Sequence, residues 1–251
     1  MADTITGQLV IAPTQPAGTT AEVIGVGVAF DVGGGSHAIF AADAALSSWG
    51  TAYNTVAWSM MGAVQAGHAI VPVSLGPTVA AGVQSAGDSP LGVNTLGLYT
   101  GTDLVVGMPA PAALYDTSWH RYMLAIPVGV PATPSNTFLW IDGAPQTLQQ
   151  VVAAETVGAP GAPWVGAMQG PTWAGSHLHG NLRDVFVWSR LLTSTEASED
   201  ASGYAPASGL ISAWPFSEGS GTTAANLVSG QPGLTAIPPG SYGVSALPLW
   251  L

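Results

Sequence analysis

Acidic side chains dominate the ionisable residues, because 14 of the 251 residues are Asp or Glu and only 3 are Lys or Arg. Hydrolysis of a glycosidic bond requires two carboxylates that flank that bond. A Glu-x-Asp spacing would place two carboxylates on one face of a strand. That spacing does not occur, and the Glu residues are scattered along the sequence. We therefore predict that the chain is not an enzyme and has no catalytic residue.

Two glycine-rich segments are candidates for a nucleophile site and for a phosphate-binding loop. Ser36 lies in a Gly-Gly-Ser-His-Ala segment that lacks the second Gly of a nucleophile elbow. The Gly25-x-Gly27 spacing lacks the third Gly and the following helix of a dinucleotide-binding loop. These patterns favour a glycine-rich turn and a strand of small residues.

His177 and His179 are a candidate metal pair, because residues two apart share one face of a strand. A third ligand is not identifiable, and two plain loop histidines are the other interpretation. Calcium needs several clustered oxygen ligands. Asp88, Asp103 and Asp116 are potential donors, but no dense acidic loop is present. No cofactor is predicted, the metal is unknown and calcium stays open.

The nine Trp residues suggest sugar stacking, because an aromatic face packs well against a pyranose ring. Five of them lie in strand-like runs and are expected in the core: Trp58, Trp119, Trp140, Trp188 and Trp214. Four lie near Gly and Pro and are candidates for exposed contacts: Trp49, Trp164, Trp173 and Trp250. We predict a ligand loop at Trp173, His177 and His179, with Trp49 and Trp164 as further ligand-binding candidates.

These side chains must be carried by a β protein, because 33 Gly and 20 Pro are spread along the whole chain and separate short strand-like runs. The runs are Glu22 to Phe30, Thr55 to Met60, Ala69 to Val73, Thr95 to Tyr99, Arg121 to Ile126, Thr137 to Ile141 and Leu182 to Trp188. Asp142-Gly143 predicts a tight hairpin turn. Only Leu191 to Ala201 looks helical, with Thr193 or Ser194 as its N-cap.

Several segments, in order, resemble the laminin-G-like family, whose fold is shared with pentraxins and legume lectins. They are Asn54 to Trp58, Ser118-Trp119-His120, Phe138 to Gly143, and Leu178 to Thr193 with its Gly-x-hydrophobic-x-Asp-Val strand. The resemblance implies an all-β, two-sheet antiparallel jelly-roll sandwich of the concanavalin A-like type with one short helix. Many relatives use calcium, but no calcium motif matches residue by residue. The Glu-x-Asp-x-x-Glu strand of sandwich glucanases is missing.

We predict one jelly-roll domain over residues 1–251, with a closing strand and tail over 205–251. The segment from Gly209 to Thr223 resembles one that usually begins such a domain, but here it follows the helix. The first and last strands of this fold lie in the same sheet, so the segment would serve as the closing strand. A truncated second repeat is the alternative.

Composition excludes several partners. The net charge is −11 and Lys is absent, so neither nucleic acid nor an anionic membrane surface would be attracted. No apolar run approaches the roughly 20 residues of a membrane span, and the first residues show no secretory signal pattern. The resemblance and the Cys-free, charge-poor sequence lead us to expect a bacteriophage virion component, assembled in the host cytoplasm, that contacts glycans. A lectin module of a bacterial surface or secreted protein is the alternative.

Charged residues make up only 7% of the chain, far fewer than a soluble monomer normally carries. We therefore expect binding to other copies of the chain or to virion proteins. The apolar end of the sequence, with Leu247, Leu249, Trp250 and Leu251, is the predicted assembly contact. The alternative is that this tail packs back on its own sandwich.

Overall fold

The computed structural model describes residues 19–21, 27–29, 39–61, 70–84, 88–101, 103–167, 169, 178, 180–239 and 249–251. Two antiparallel β-sheets pack face to face, which confirms the predicted all-β sandwich with one short helix. A separate pair of strands joins β1 (Thr19–Ala21) to β15 (Tyr204–Pro206).

The first sheet has eight strands within the described residues. Its order from one edge is β11 (Ala144–Pro145), β10 (Phe138–Ile141), β9 (Trp119–Pro127), β4 (Tyr53–Met61), β14 (Asn181–Trp188), β2 (Val28–Ala29) and β19 (Leu249–Trp250). The remaining strand, β16 (Leu210–Trp214), pairs with the second half of β14. This strand comes from the segment that was expected to close the sheet.

The part of the second sheet that the structure describes has nine strands. Its order is β12 (Gln149–Gln150), β8 (Asp103–Pro109), β7 (Thr95–Thr100), β6 (Val79–Gln84), β5 (Ile70–Ser74), β13 (Trp164–Val165), β3 (Phe40–Ala42), β18 (Leu234–Ala236) and β17 (Thr223–Ala224). A 3-10 turn at Ala112–Leu114 links β8 to β9.

The core lies between the two sheets. Trp58 stacks on Tyr122 with ring centroids 5.6 Å apart, and Trp214 is buried in the same apolar cluster. The central strand β4 is buried on both faces from Asn54 to Met60, because a second apolar cluster covers the outer face of the eight-stranded sheet. The eight-stranded sheet is thus sandwiched between the core and this outer layer.

Helix α1 (Ser194–Ala201) forms part of that outer layer and buries Ala197 in it. Thr193 is its N-cap, as predicted, and the helix begins three residues later than expected. The Thr193 hydroxyl accepts from the Glu196 N–H, and the Glu196 carboxylate accepts from the Thr193 N–H, which together form a capping box. The helix has eight residues, and no helix in the described ranges is long and apolar enough to cross a membrane.

The predicted turn at Asp142-Gly143 joins β10 to β11. Both residues have positive φ, at 50° and 77°, as in the type I′ turns that favour Asp-Gly in two-residue hairpins. The Asp142 carboxylate is held beside β9, because it accepts a hydrogen bond from the Arg121 N–H at 2.8 Å.

Candidate functional site

A pocket of about 250 Å³ opens on the outer face of the eight-stranded sheet, beside the C-terminal end of helix α1. Its lining comes from strands β4, β9 and β14, from the β10–β11 turn and from the end of the helix. The lining residues are Ser59, Trp119, His120, Arg121, Asp142, Arg183, Asp184, Asp200, Ala201, Ser202 and Gly203. We call this the outer-face pocket.

A row of three polar residues crosses the outer-face pocket. Arg183, Ser59 and Arg121 lie opposite one another on the adjacent strands β14, β4 and β9. This places two of the three arginines of the chain on either side of one small hydroxyl residue.

The Arg121 guanidinium is held from several directions. Its Nε and Nη2 donate to the two carboxylate oxygens of Asp200, at 2.7 and 2.9 Å, and its Nη1 donates to the Asp184 carbonyl and to Ser59 Oγ. The guanidinium also lies 4.9 Å from the centre of the Phe186 ring. Because Arg121 and Asp200 are both buried, this charge-assisted pair fixes helix α1 to the sheet.

A bulge in strand β14 shapes the neighbouring wall. The register of β14 on β4 shifts between Arg183 and Phe186, and Asp184 has φ of 53°. The Asp184 carboxylate lies 3.2 Å from Arg183 Nε, and the Arg183 guanidinium sits 4.2 Å above the Trp119 ring. The half-buried Trp119 was expected in the core and instead lines this wall.

His120 bridges two carboxylates at the rim. Its Nδ1 lies 2.7 Å from Asp142 Oδ2, and its Nε2 lies 2.9 Å from Asp116 Oδ2. Carboxylates only accept hydrogen bonds, so both contacts are satisfied only when both ring nitrogens carry protons. Partial burial lowers the pKa of His120, but the hydrogen bonds to Asp142 and Asp116 outweigh it and raise that pKa above its ordinary value.

The lining of the pocket brings charges of both signs together. Arg121, Arg183 and His120, whose pKa is raised, face the carboxylates of Asp142, Asp184 and Asp200. Asp116, just outside the lining, has its pKa lowered by hydrogen bonds from the Ser118 N–H and from His120. In the described part of the chain, no three His, Asp or Glu side chains are grouped so that they could hold a metal ion. The arrangement is suited to hydrogen bonding with a neutral, polar ligand.

Of the predicted ligand residues, only Trp49 and Trp164 lie within the described ranges, and neither lines the outer-face pocket. Trp173, His177 and His179 lie outside the described residues. Trp164 is only 7% exposed, because its strand β13 is inserted between β3 and β5, so the expected exposure of this indole is wrong. Trp49 is partly buried against the core and does not line the outer-face pocket.

The three candidate calcium donors do not belong to any metal-binding group of side chains in the described part of the chain. Asp103 begins strand β8 of the nine-stranded sheet, and Asp88 lies in the turn before β7. Asp116 precedes β9 and is engaged by His120.

The predicted assembly residues lie partly within the sandwich. Leu247 is outside the described residues, and Leu249 and Trp250 form β19 at the edge of the eight-stranded sheet. The Trp250 ring packs 6.1 Å from Phe40, and its Nε1 donates to the Gly221 carbonyl at 2.8 Å. Leu251 is 46% exposed.

Sequence reasoning missed the outer-face pocket because its residues are distant in the chain. One signal was available in the composition, since Arg121 and Arg183 are two of only three full positive charges and both fall in predicted strands. A buried arginine requires a carboxylate partner, so these two positions marked a polar site on an otherwise apolar sheet.

No protein-family model and no curated protein sequence matches the chain, but solved structures share its fold. A candidate carbohydrate-binding protein of Bacteroides ovatus superposes with a TM-score of 0.54 at 15% identity, over 89% of this chain and 60% of that chain. The native heptameric SAP-like pentraxin of Limulus polyphemus gives 0.51 at 16% identity, over 68% and 79%. Full-length tailspike protein 2 of a bacteriophage of Escherichia coli O157:H7 gives 0.47 at 15% identity, over 83% and 31%.

The first two superpositions show that the chain has a pentraxin-like sandwich fold. Identities of 15% and 16% show the fold alone. The chain spans 60% of the length of the Bacteroides ovatus protein.

Proposed function

We propose that this chain is a non-enzymatic carbohydrate-binding protein of the laminin-G-like type that serves as a subunit of a bacteriophage particle. The proposal that the chain binds carbohydrate rests on the outer-face pocket, in which Trp119 lies beside paired carboxylates and cations. Sugar hydroxyls both donate and accept, so a lining of fixed donors and acceptors suits them. The sandwich fold shared with a candidate carbohydrate-binding protein supports this assignment.

The pocket carboxylates support binding in preference to catalysis. Asp200 is paired with Arg121, Asp184 with Arg183, and Asp142 accepts from His120 and from the Arg121 N–H. A glycosidase needs one carboxyl group that is poised to give up a proton and another that is poised to attack or to activate water. Carboxylates that are each held by a cation fit neither role.

A glycan array followed by isothermal titration calorimetry tests the carbohydrate proposal. We expect at least one glycan to bind without being cleaved, and Trp119→Ala to weaken that binding by about tenfold or more. Trp49→Ala is the matched control, because Trp49 is another partly buried indole and does not line the pocket. Release of reducing sugar, or an array without any binding, would count against the proposal.

The virion part of the proposal is supported by the surface chemistry. The chain has seventeen formally charged residues, and Arg121, Asp184 and Asp200 are buried. Few charges therefore remain to keep a surface of 10282 Å² soluble, and association with other subunits would cover part of it. The alternative is a lectin module of a bacterial surface or secreted protein.

Mass spectrometry of gradient-purified phage particles tests the virion proposal. We expect the chain to copurify with the particles at a constant ratio to the major capsid protein. Light scattering on the isolated chain is expected to show an oligomer. A strictly monomeric protein that is recovered only from the bacterial surface or the culture medium would support the lectin alternative.

A further inference from the structure

We infer that the outer-face pocket takes a single neutral sugar residue and discriminates against acidic sugars. This inference rests on the proposed carbohydrate-binding function and assigns the ligand class of the same pocket.

The first support is that Arg121 and His120, two of the three cationic residues that line the pocket, already direct their donors to protein acceptors. Arg121 gives its Nε and Nη2 to Asp200 and its Nη1 to the Asp184 carbonyl and Ser59. His120 gives one ring N–H to Asp142 and the other to Asp116. A sugar carboxylate, phosphate or sulfate needs donors, and to recruit these it would have to break existing charge-assisted bonds.

The second support is that acceptors remain at the pocket surface. The Asp142 side chain is 51% exposed, and its two oxygens receive one hydrogen bond each from His120 and the Arg121 N–H. An ionised carboxylate accepts about four hydrogen bonds, so Asp142 has capacity for donors from a ligand. Sugar hydroxyls supply such donors, and an acidic group would meet this carboxylate with the same charge.

The third support is that the lining has no excess of positive charge, because Arg121, Arg183 and His120 face three carboxylates and Asp116 contacts His120 from outside the lining. Arg183 is held between the Asp184 carboxylate and the Trp119 ring, so its charge is offset locally. A pocket of this kind supplies directional hydrogen bonds and little net field. It therefore favours a neutral polyhydroxyl group over either sign of charge.

The size of the pocket sets the length of the ligand. Its volume of about 250 Å³ lies below the roughly 300–1,000 Å³ that is typical of drug-sized ligand sites. One pyranose ring is the sugar unit that such a space accommodates, and the rest of a glycan would project past Ser202 at the rim.

Ligand-observed NMR and calorimetry test the inference. The neutral ligands are methyl glucoside, methyl galactoside and methyl mannoside, and the acidic ligands are glucuronate and N-acetylneuraminate. We expect one neutral glycoside to bind at least about tenfold more tightly than either acid. Asp142→Asn should weaken that binding by about tenfold, while Asn keeps the positive-φ turn. Asp103→Asn, an exposed carboxylate in the other sheet, should have no effect.

Ser202→Tyr tests the location independently of charge, because Ser202 is exposed at the rim and a phenol ring there would fill the opening. Binding that is about tenfold weaker in Asp142→Asn and is lost in Ser202→Tyr, with unchanged circular dichroism, would support the inference. Neutral-sugar binding that is unchanged in either variant, or preferential binding of the acids, would overturn the inference and leave the carbohydrate function standing. A chain that binds no sugar at all would overturn both.

Discussion

Arg121 and Asp200 form a two-point ion pair between strand β9 and helix α1, with Nε 2.7 Å from Oδ2 and Nη2 2.9 Å from Oδ1. Asp200 is 1% exposed, and Arg121 also holds the bulged strand β14 through the Asp184 carbonyl. One guanidinium thus connects three elements that line the outer-face pocket.

Asp200→Asn is expected to destabilise the protein strongly, because it leaves the buried Arg121 charge without its counter-ion. Removing one partner of a buried pair costs about 3–5 kcal/mol. Urea denaturation should show this loss, whereas Arg121→Met combined with Asp200→Leu should be less destabilising than Asp200→Asn alone. Equal stability of Asp200→Asn and the wild type would show that the pair contributes nothing.

The His120 bridge is expected to make stability depend on pH. The folded-state pKa of His120 is raised above 6.5, so its contribution is complete below about pH 6.5 and is lost as pH rises through the folded value. The difference in unfolding free energy between the wild type and His120→Gln should therefore be largest near pH 5 and shrink towards pH 9. A difference in unfolding free energy that stays constant from pH 5 to pH 9 would show that protonated His120 does not contribute to stability through this bridge.

Glu196, in the capping box of helix α1, is expected to make stability depend on pH in the opposite direction to His120. Hydrogen bonds from Arg190 lower the pKa of Glu196 from 4.5 to about 2, with a further contribution from the Thr193 N–H. The stability that ionised Glu196 contributes is therefore present above about pH 4.5 and is lost as the pH falls towards 2. Thermal unfolding should show a difference between the wild type and Glu196→Gln at pH 7 that has largely disappeared at pH 2. Thr193→Ala should cost about 1 kcal/mol at pH 7.

Trp250 and Leu251 are expected to have different roles, Trp250 in packing of the sandwich and Leu251 in self-association. Trp250 packs on Phe40 and Phe216, so Trp250→Ala should lower the unfolding free energy by about 2 kcal/mol, less than for a fully buried Trp. Leu251 is exposed, so Leu251→Asp should weaken self-association without this loss. Light scattering and chemical denaturation of the two variants check this division. An unchanged oligomeric state in Leu251→Asp would show that Leu251 is not part of the assembly contact.

Local patterns predicted local structure well. Asp142-Gly143 forms the expected turn because both residues tolerate positive φ, and Thr193 caps the helix because its hydroxyl reaches the N–H of Glu196. The pocket was not predictable in this way, since Ser59, Arg121 and Arg183 meet only through the register of three strands. That register depends on the packing of the whole sheet, which no short window of sequence contains.

The position of β4 between β9 and β14 has a kinetic consequence. Val56 faces Leu124 on one side and Val187 on the other, so both neighbours of the central strand come from distant parts of the chain. Closing such long loops costs conformational entropy before the packing contacts that offset this cost have formed. Proteins with many non-local pairings therefore fold in about milliseconds to seconds. During that time β4 presents two unpaired edges in a chain with few charged residues to prevent intermolecular pairing. Refolding yield should therefore fall as protein concentration rises, well before the folded state itself becomes unstable.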